Sequence, residues 1–192
     1  LPAPIILFKA PTGSGKTYMS SELIRAMIND QNFHDEFSFI WIAPNKLEDQ
    51  SYDSLKKYFK DTRDIKCSKR QSVAANREIK KNEILFINWQ SINNEDNIFR
   101  RNSERDLNLG QIIKKTKALN RKIILIVDEI HHSAGTSNSK EIIEKIIEPN
   151  LTIGVSATPS SLKQGDVVEE IPLYKVREAG MIKEFATINP GH

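Results

Sequence analysis

The sequence predicts an α/β protein of three layers, a mostly parallel central sheet flanked by helices. Short apolar runs recur along the chain, and amphipathic stretches of helical length separate them. Aliphatic residues also dominate, with aromatics only 7% of the 192 residues. The runs are continuous rather than alternating, the pattern of strands buried on both faces. Strand and helix in alternation read as βαβ units with right-handed crossovers.

Residues 5–8 form the first run, followed by a glycine-containing loop. A helix over 17–28 comes next, with Met19, Leu23, Ile24, Met27 and Ile28 on one side. A second run, 37–43, leads to a helix over 47–59 that carries Leu47, Leu55, Tyr58 and Phe59. Runs at 84–87, 123–127 and 151–155 supply further buried strands, and paired isoleucines at helical spacing predict a helix over 140–147. Residues 93–121 read as a polar insert: a loop to about residue 105, then a helix through Leu119. A strand-like run at 167–173 and a helical stretch at 174–180, stopped by glycine, follow.

Composition narrows the class. Hydrophobic residues are 39% of the chain, enough for one domain with a substantial core. No apolar stretch approaches the roughly 18–20 residues of a membrane helix, and no secretory pattern opens the chain. A single cysteine, Cys67, excludes an internal disulfide framework and a multi-cysteine zinc site, so the expected compartment is a reducing cytoplasm. Net charge is only +3, but residues 46–81 carry eleven Lys or Arg against six Asp or Glu. That stretch is either a solvated helix surface or a face for a phosphate backbone. The abrupt ends suggest a piece of a longer protein.

The loop "APTGSGKT", from Ala10 through Thr12 to Thr17, has the phosphate-binding pattern except that Ala10 replaces the first glycine. A polyphosphate is best held by backbone N–H groups converging at the positive end of a helix. Gly13 and Gly15 permit the backbone angles this requires. Lys16 can reach β- and γ-phosphates, and Thr17 can ligate magnesium. Downstream, the run 123–127 ends in Asp128-Glu129. In an open parallel sheet, ligand groups gather at the carboxyl ends of strands. Asp128 is therefore expected in the same crevice, holding magnesium, with Glu129 polarising the attacking water. His131 and His132 do not suggest zinc: adjacent residues point apart, and no second ligand pair has suitable spacing. His131 is expected to bridge the nucleotide site to a neighbouring element.

With these motifs placed, the sequence resembles the first RecA-like motor domain of superfamily-two helicases and translocases. "APTGSGKT" is similar to that superfamily's motif I, where alanine commonly opens the loop, and "DEIH" at 128–131 to motif II in its DExH form. "SAT" at 156–158 resembles motif III, "IAPNKLEDQ" at 42–50 resembles motif Ia, and "FINWQSIN" at 86–93 resembles the next backbone-contacting motif. Within the superfamily, "NWQSIN", the polar insert after it, "DEIHH" and "YKVREAGMIKE" resemble the helicase-like Res subunit of type III restriction enzymes.

The resemblance implies that Gly13, Ser14, Gly15, Lys16 and Thr17 bind phosphates and magnesium, with Asp128 and Glu129 serving metal and water. It implies that His131, Ser156 and Thr158 couple this site to DNA, and that Pro44, Asn45, Trp89 and Gln90 sit at or beside backbone contacts. Trp89 also reads as a core aromatic after a strand. The implied ligands are ATP and Mg2+, and the implied partners are double-stranded DNA and methyltransferase or specificity subunits. Residues 1–192 are then a single N-terminal motor domain, with 166–192 leading toward a second RecA-like domain beyond residue 192. That second domain supplies the arginines an isolated first domain lacks, so the fragment alone is expected to hydrolyse little ATP. Alternatives left open are a DNA-repair or RNA helicase of the same superfamily and a nucleotide-dependent interaction module. A small metabolic kinase is disfavoured by "SAT" and the motif Ia-like segment.

Overall fold

The computed structural model describes residues 4–11, 13–31, 34–44, 47–90, 109–129, 140–157 and, for the backbone, 167–170. Seven strands form one sheet: β1 (Ile5–Lys9), β2 (Glu36–Ala43), β3 (Lys66–Lys69), β4 (Glu83–Asn88), β5 (Arg121–Asp128), β6 (Leu151–Ser156) and β7 (Val167–Glu170). Their spatial order is β3-β4-β2-β5-β6-β1-β7, and every neighbouring pair is parallel. The α-helices are α1 (Lys16–Asn29), α2 (Leu47–Tyr58), α3 (Arg70–Asn76) and α4 (Leu109–Ala118), and a π-helical segment spans Ile142–Ile147. This is the α/β, RecA-like architecture expected from the sequence.

The continuous apolar runs become two-faced strands. In β2, Phe39 and Trp41 pack with Ile24 of α1 and Leu55 of α2, while Ile40 and Ile42 face the cluster of Ile112 and Ile113 of α4. β5 divides the same way, with Ile124 and Ile126 on the first side and Ile123, Leu125 and Val127 on the other. Alternate side chains of a strand point to opposite faces, so an all-apolar strand needs helices on both. Here α1 and α2 cover one face and α4 with the π-helical segment the other, giving three layers.

Three local results differ from the periodicity reading. The isoleucine-rich segment winds as a π-helix because Ile142 and Ile147, five residues apart, are both fully buried. Its last turn closes with the Glu148 N–H donating to the Ile143 carbonyl at 2.8 Å, and Asn150 then exchanges two 2.8 Å hydrogen bonds with the backbone of Ile123. The second difference is β3, whose sequence Lys-Cys-Ser-Lys has no apolar run; with α3 it forms a strand–helix pair the periodicity did not show. The third is at the chain's later part, where β7 covers Val167–Glu170 and the rest of the expected 167–173 run, like the 174–180 helix and most of the 93–121 insert, falls outside the described residues.

β3 holds to β4 through polar groups. Glu83 is fully buried, accepting from the Ser68 hydroxyl at 2.5 Å and from the Lys80 N–H at 2.8 Å, with the Lys66 ammonium 3.3 Å away. Burial pushes the neighbouring Cys67 thiol up to about 12, against a smaller opposing effect of Lys56, so it stays protonated and unreactive. Among the described residues no helix is long and apolar enough to cross a membrane.

Glu83→Ala leaves the buried Ser68 hydroxyl, and the part-buried Lys80 N–H, without their acceptor and should cost about 2–4 kcal/mol in a denaturant titration. Lys66→Ala, at the half-exposed end of the same cluster, should cost under about 1 kcal/mol. Equal losses would mean that β3 is held by charge rather than by the buried hydrogen bonds.

Candidate active site

The register of three adjacent strands builds the crevice. β6 lies between β1 and β5, with Lys9 paired to Ser156 and Asp128 to Val155, so the three strands end at one level. At that level the Ala10 N–H donates to the Ser156 carbonyl at 3.0 Å, clipping the start of the loop to the end of β6. The loop turns through a 3.1 Å bond from the Ser14 N–H to the Pro11 carbonyl and enters α1.

Gly13 and Gly15 adopt φ of +78° and +76°, in the left-handed region that side chains strain. A Cβ on Gly13 would meet no atom within 4 Å, so conformation rather than crowding calls for glycine there. Gly15 is the N-cap of α1, with no side-chain cap and no acidic residue in the first turn. The positive end of α1 is thus neither capped nor neutralised from within the helix, which suits an anion. Ser14 is fully buried, and its hydroxyl has no hydrogen-bond partner among the described residues. A buried hydroxyl left without a partner beside the uncapped start of α1 fits a polar guest.

Lys16 begins α1, and its ammonium lies 3.2 Å from Glu129 Oε1, with both side chains largely shielded. Glu129 itself turns the chain at a φ of +51°, directly after β5. Asp128, 8% exposed, has its carboxyl pushed up to about 6. Burial is the main cause and the Glu129 charge adds to it, against the Lys16 charge and a hydrogen bond from the Glu129 backbone. Among the described residues the two acids face one ammonium, that of Lys16, an arrangement that a bound cation would complement. Thr17 and Asp128 offer oxygen donors, the type magnesium prefers. Among the described residues no group of three or more His, Cys, Asp or Glu comes together.

The structure thus brings Gly13, Ser14, Gly15 and Lys16 to the same crevice end as Asp128, Glu129 and the buried Ser156. Thr12, Asn45, His131 and Thr158 lie outside the described residues. Pro44 leaves β2, its carbonyl accepting from Leu47 and Glu48 N–H at 3.1 and 3.2 Å. Trp89 is 4% exposed and packs in the core with Ile87 and Leu109, so its ring fills the core rather than offering a platform for a base. Gln90 beside it is exposed. The basic stretch is partly committed to ion pairs, Lys69 with Asp49, Lys66 with Glu83 and Lys81 with Glu36. The Ala10–Ser156 clip and the Lys16–Glu129 pair were not foreseen, since both need the sheet order that puts β6 beside β1.

Asp128 gives a pH signature. Its folded pKa lies above the ordinary 3.8, so its charge costs stability in full above about pH 6, and the cost fades as pH falls toward 4. In metal-free buffer Asp128→Asn should therefore stabilise the fold at pH 8, by on the order of 2–3 kcal/mol. The advantage should shrink toward zero near pH 4. A thermal-melt series across pH checks this, and an advantage independent of pH would remove the desolvated charge as its cause.

A family model described as the type III restriction enzyme, res subunit, matches residues 3–161. No curated protein matches the chain. The matched span contains the loop, β5 with its two acids, and β6. The chain belongs to the family of the type III restriction enzyme res subunit and is a helicase-like, ATP-binding motor domain.

Proposed function

We propose that this chain is the first motor domain of a DNA-dependent ATPase, a translocase or helicase of a restriction-type system, which hydrolyses ATP only together with a second RecA-like domain. The observation that carries the reading is the 3.2 Å contact between Lys16, at the start of α1, and Glu129, just past the end of β5. A phosphate-loop lysine and a glutamate brought into one shielded crevice put a phosphate-binding cation and a water-orienting carboxylate within reach of the same nucleotide.

The chemistry follows from the side chains. The N–H groups of the loop and the start of α1 bind the phosphates, and Lys16 meets the charge of the terminal ones. Thr17 and Asp128 hold magnesium, which when bound supplies positive charge against the β- and γ-phosphates. As Lys16 turns toward phosphate, its contact with Glu129 loosens, and the glutamate can orient water and accept its proton. The pair thus keeps the base occupied until nucleotide arrives. Catalysis of this kind is mostly positioning and charge stabilisation, and an arginine from a second domain can add about 10³–10⁵ in rate. His131, Ser156 and Thr158 are assigned to couple the site to DNA, with Pro44, Asn45 and Gln90 near the backbone contacts. Trp89 is assigned to shape that surface from below. Duplex DNA is the proposed track, with methyltransferase or specificity subunits as companions and the cytoplasm as the compartment.

In the full-length protein, Lys16→Ala should reduce DNA-stimulated ATP turnover by roughly 10² or more while leaving the fold intact. Glu129→Gln should keep ATP binding and lose turnover to a similar degree. Turnover by the Gln variant within twofold of the parent would remove Glu129 from its role. Stimulation by RNA but not duplex DNA would move the chain to the RNA helicases, and ATP binding without stimulation by any nucleic acid would favour an interaction module.

A further inference from the structure

The first turn of α2 is tied to the ends of two strands by side chains that the core does not need. Asn88, the last residue of β4, donates through Nδ2 to Glu48 Oε2 at 2.8 Å, across forty residues of sequence and in a partly buried setting. Lys69, the last residue of β3, pairs with Asp49 on the same turn. One turn later the Tyr52 ring lies edge-on to Phe86 of β4, at 5.4 Å, with the Lys69 ammonium 4.9 Å from its centroid. The apolar seat of α2, by contrast, is further along the helix at Leu55, with Phe59 just past its end. The helix start, next to Pro44 where the chain leaves β2, thus has polar ties to both strand ends in addition to the partly buried packing of Leu47 and Tyr52. Ala43 and Asn88 are paired in the sheet, so the exits of β2 and β4 lie side by side.

We propose that Asn88 and Glu48 are positioning residues for nucleic-acid engagement. Their hydrogen bond ties the end of β4 to the first turn of α2, the helix that follows β2, so that the two move together. The inference rests on the reading that these two segments meet a nucleic-acid backbone. Phosphates along a backbone have fixed spacing, so two contact points that shift independently lose affinity through the ordering they must then undergo. A hydrogen bond to a charged partner in a partly buried place is strong enough to set that spacing. The acids at 48 and 49 also favour the helix start electrostatically. That effect depends only on charge and separates from the hydrogen bond by substitution.

The test is ATP turnover of the full-length protein against duplex DNA concentration, with basal turnover and melting followed in parallel. Asn88→Ala and Glu48→Ala should each raise the DNA concentration for half-activation roughly three- to tenfold. Basal turnover should be unchanged, and the double alanine variant no worse than either single one. Glu48→Gln keeps an acceptor and should resemble the parent. The exchanged pair Asn88→Asp with Glu48→Gln reverses donor and acceptor and should restore parental half-activation. Alanine variants that match the parent overturn the inference, as does a Glu48→Gln variant as impaired as Glu48→Ala, which would leave only the helix charge. A parent that no nucleic acid stimulates overturns both this inference and the functional reading, whereas a stimulated parent with unaffected alanine variants overturns this inference alone.

Discussion

The crevice depends on the parallel alignment of β1, β6 and β5, and above all on the register that ends them together. β6 is the spacer: it takes the Ala10 N–H on one side and stands beside Asp128 on the other. A parallel sheet gathers all its strand exits at one edge, so groups distant in sequence converge without long connecting loops. The far end of the same strands is held by Asn150 against Ile123, and this double attachment prevents β6 from sliding. A slip of one residue would turn every side chain of β6 to the other face and carry Ser156 out of the crevice.

Charge then decides what the crevice does. Two acids and one lysine share a shielded space, where burial first and the Glu129 charge second raise the pKa of Asp128. Lys16 is committed to Glu129, so it cannot neutralise Asp128 fully. A site of this kind is under electrostatic tension that a cation relieves, and the uncapped start of α1 presents the opposite sign to phosphate. Magnesium and polyphosphate are complementary to the two halves, which is why they are proposed together rather than separately. The stability given up by burying Asp128 is the cost of a site prepared for a charged guest.

Most of the fold was legible in the residues. β2, β4, β5 and β6 announce themselves because burial on both faces demands continuous apolar runs, and α1 and α2 because one-sided burial demands helical spacing. β3 was not legible: its stability comes from Ser68 meeting Glu83, fifteen residues away, and no local pattern encodes that. The π-helical winding at Ile142–Ile147 was likewise hidden, since paired isoleucines suit either helix until burial selects the spacing. At the site, Gly13, Gly15, Lys16 and Asp128 could be named from residue type and spacing alone. Their sharing of one crevice was expected too, because parallel strands gather ligand groups at their carboxyl ends. The direct Lys16–Glu129 contact was not, because sheet order is a tertiary property. Trp89 illustrates the converse, an aromatic in a motif-like setting whose surroundings make it core.

The central claim is that the loop of β1 and the acid of β5 hold one nucleotide through one shared metal ion. The most direct measurement is the affinity of the protein for ADP with and without magnesium, in the parent and in Asp128→Asn. The account predicts that magnesium tightens ADP binding about tenfold or more in the parent. It predicts that the tightening is largely lost in the variant while metal-free affinity is kept or slightly raised, because one negative charge has left the crevice. Equal magnesium dependence in both proteins would contradict it, and would mean that Asp128 and the phosphate loop do not serve the same ion.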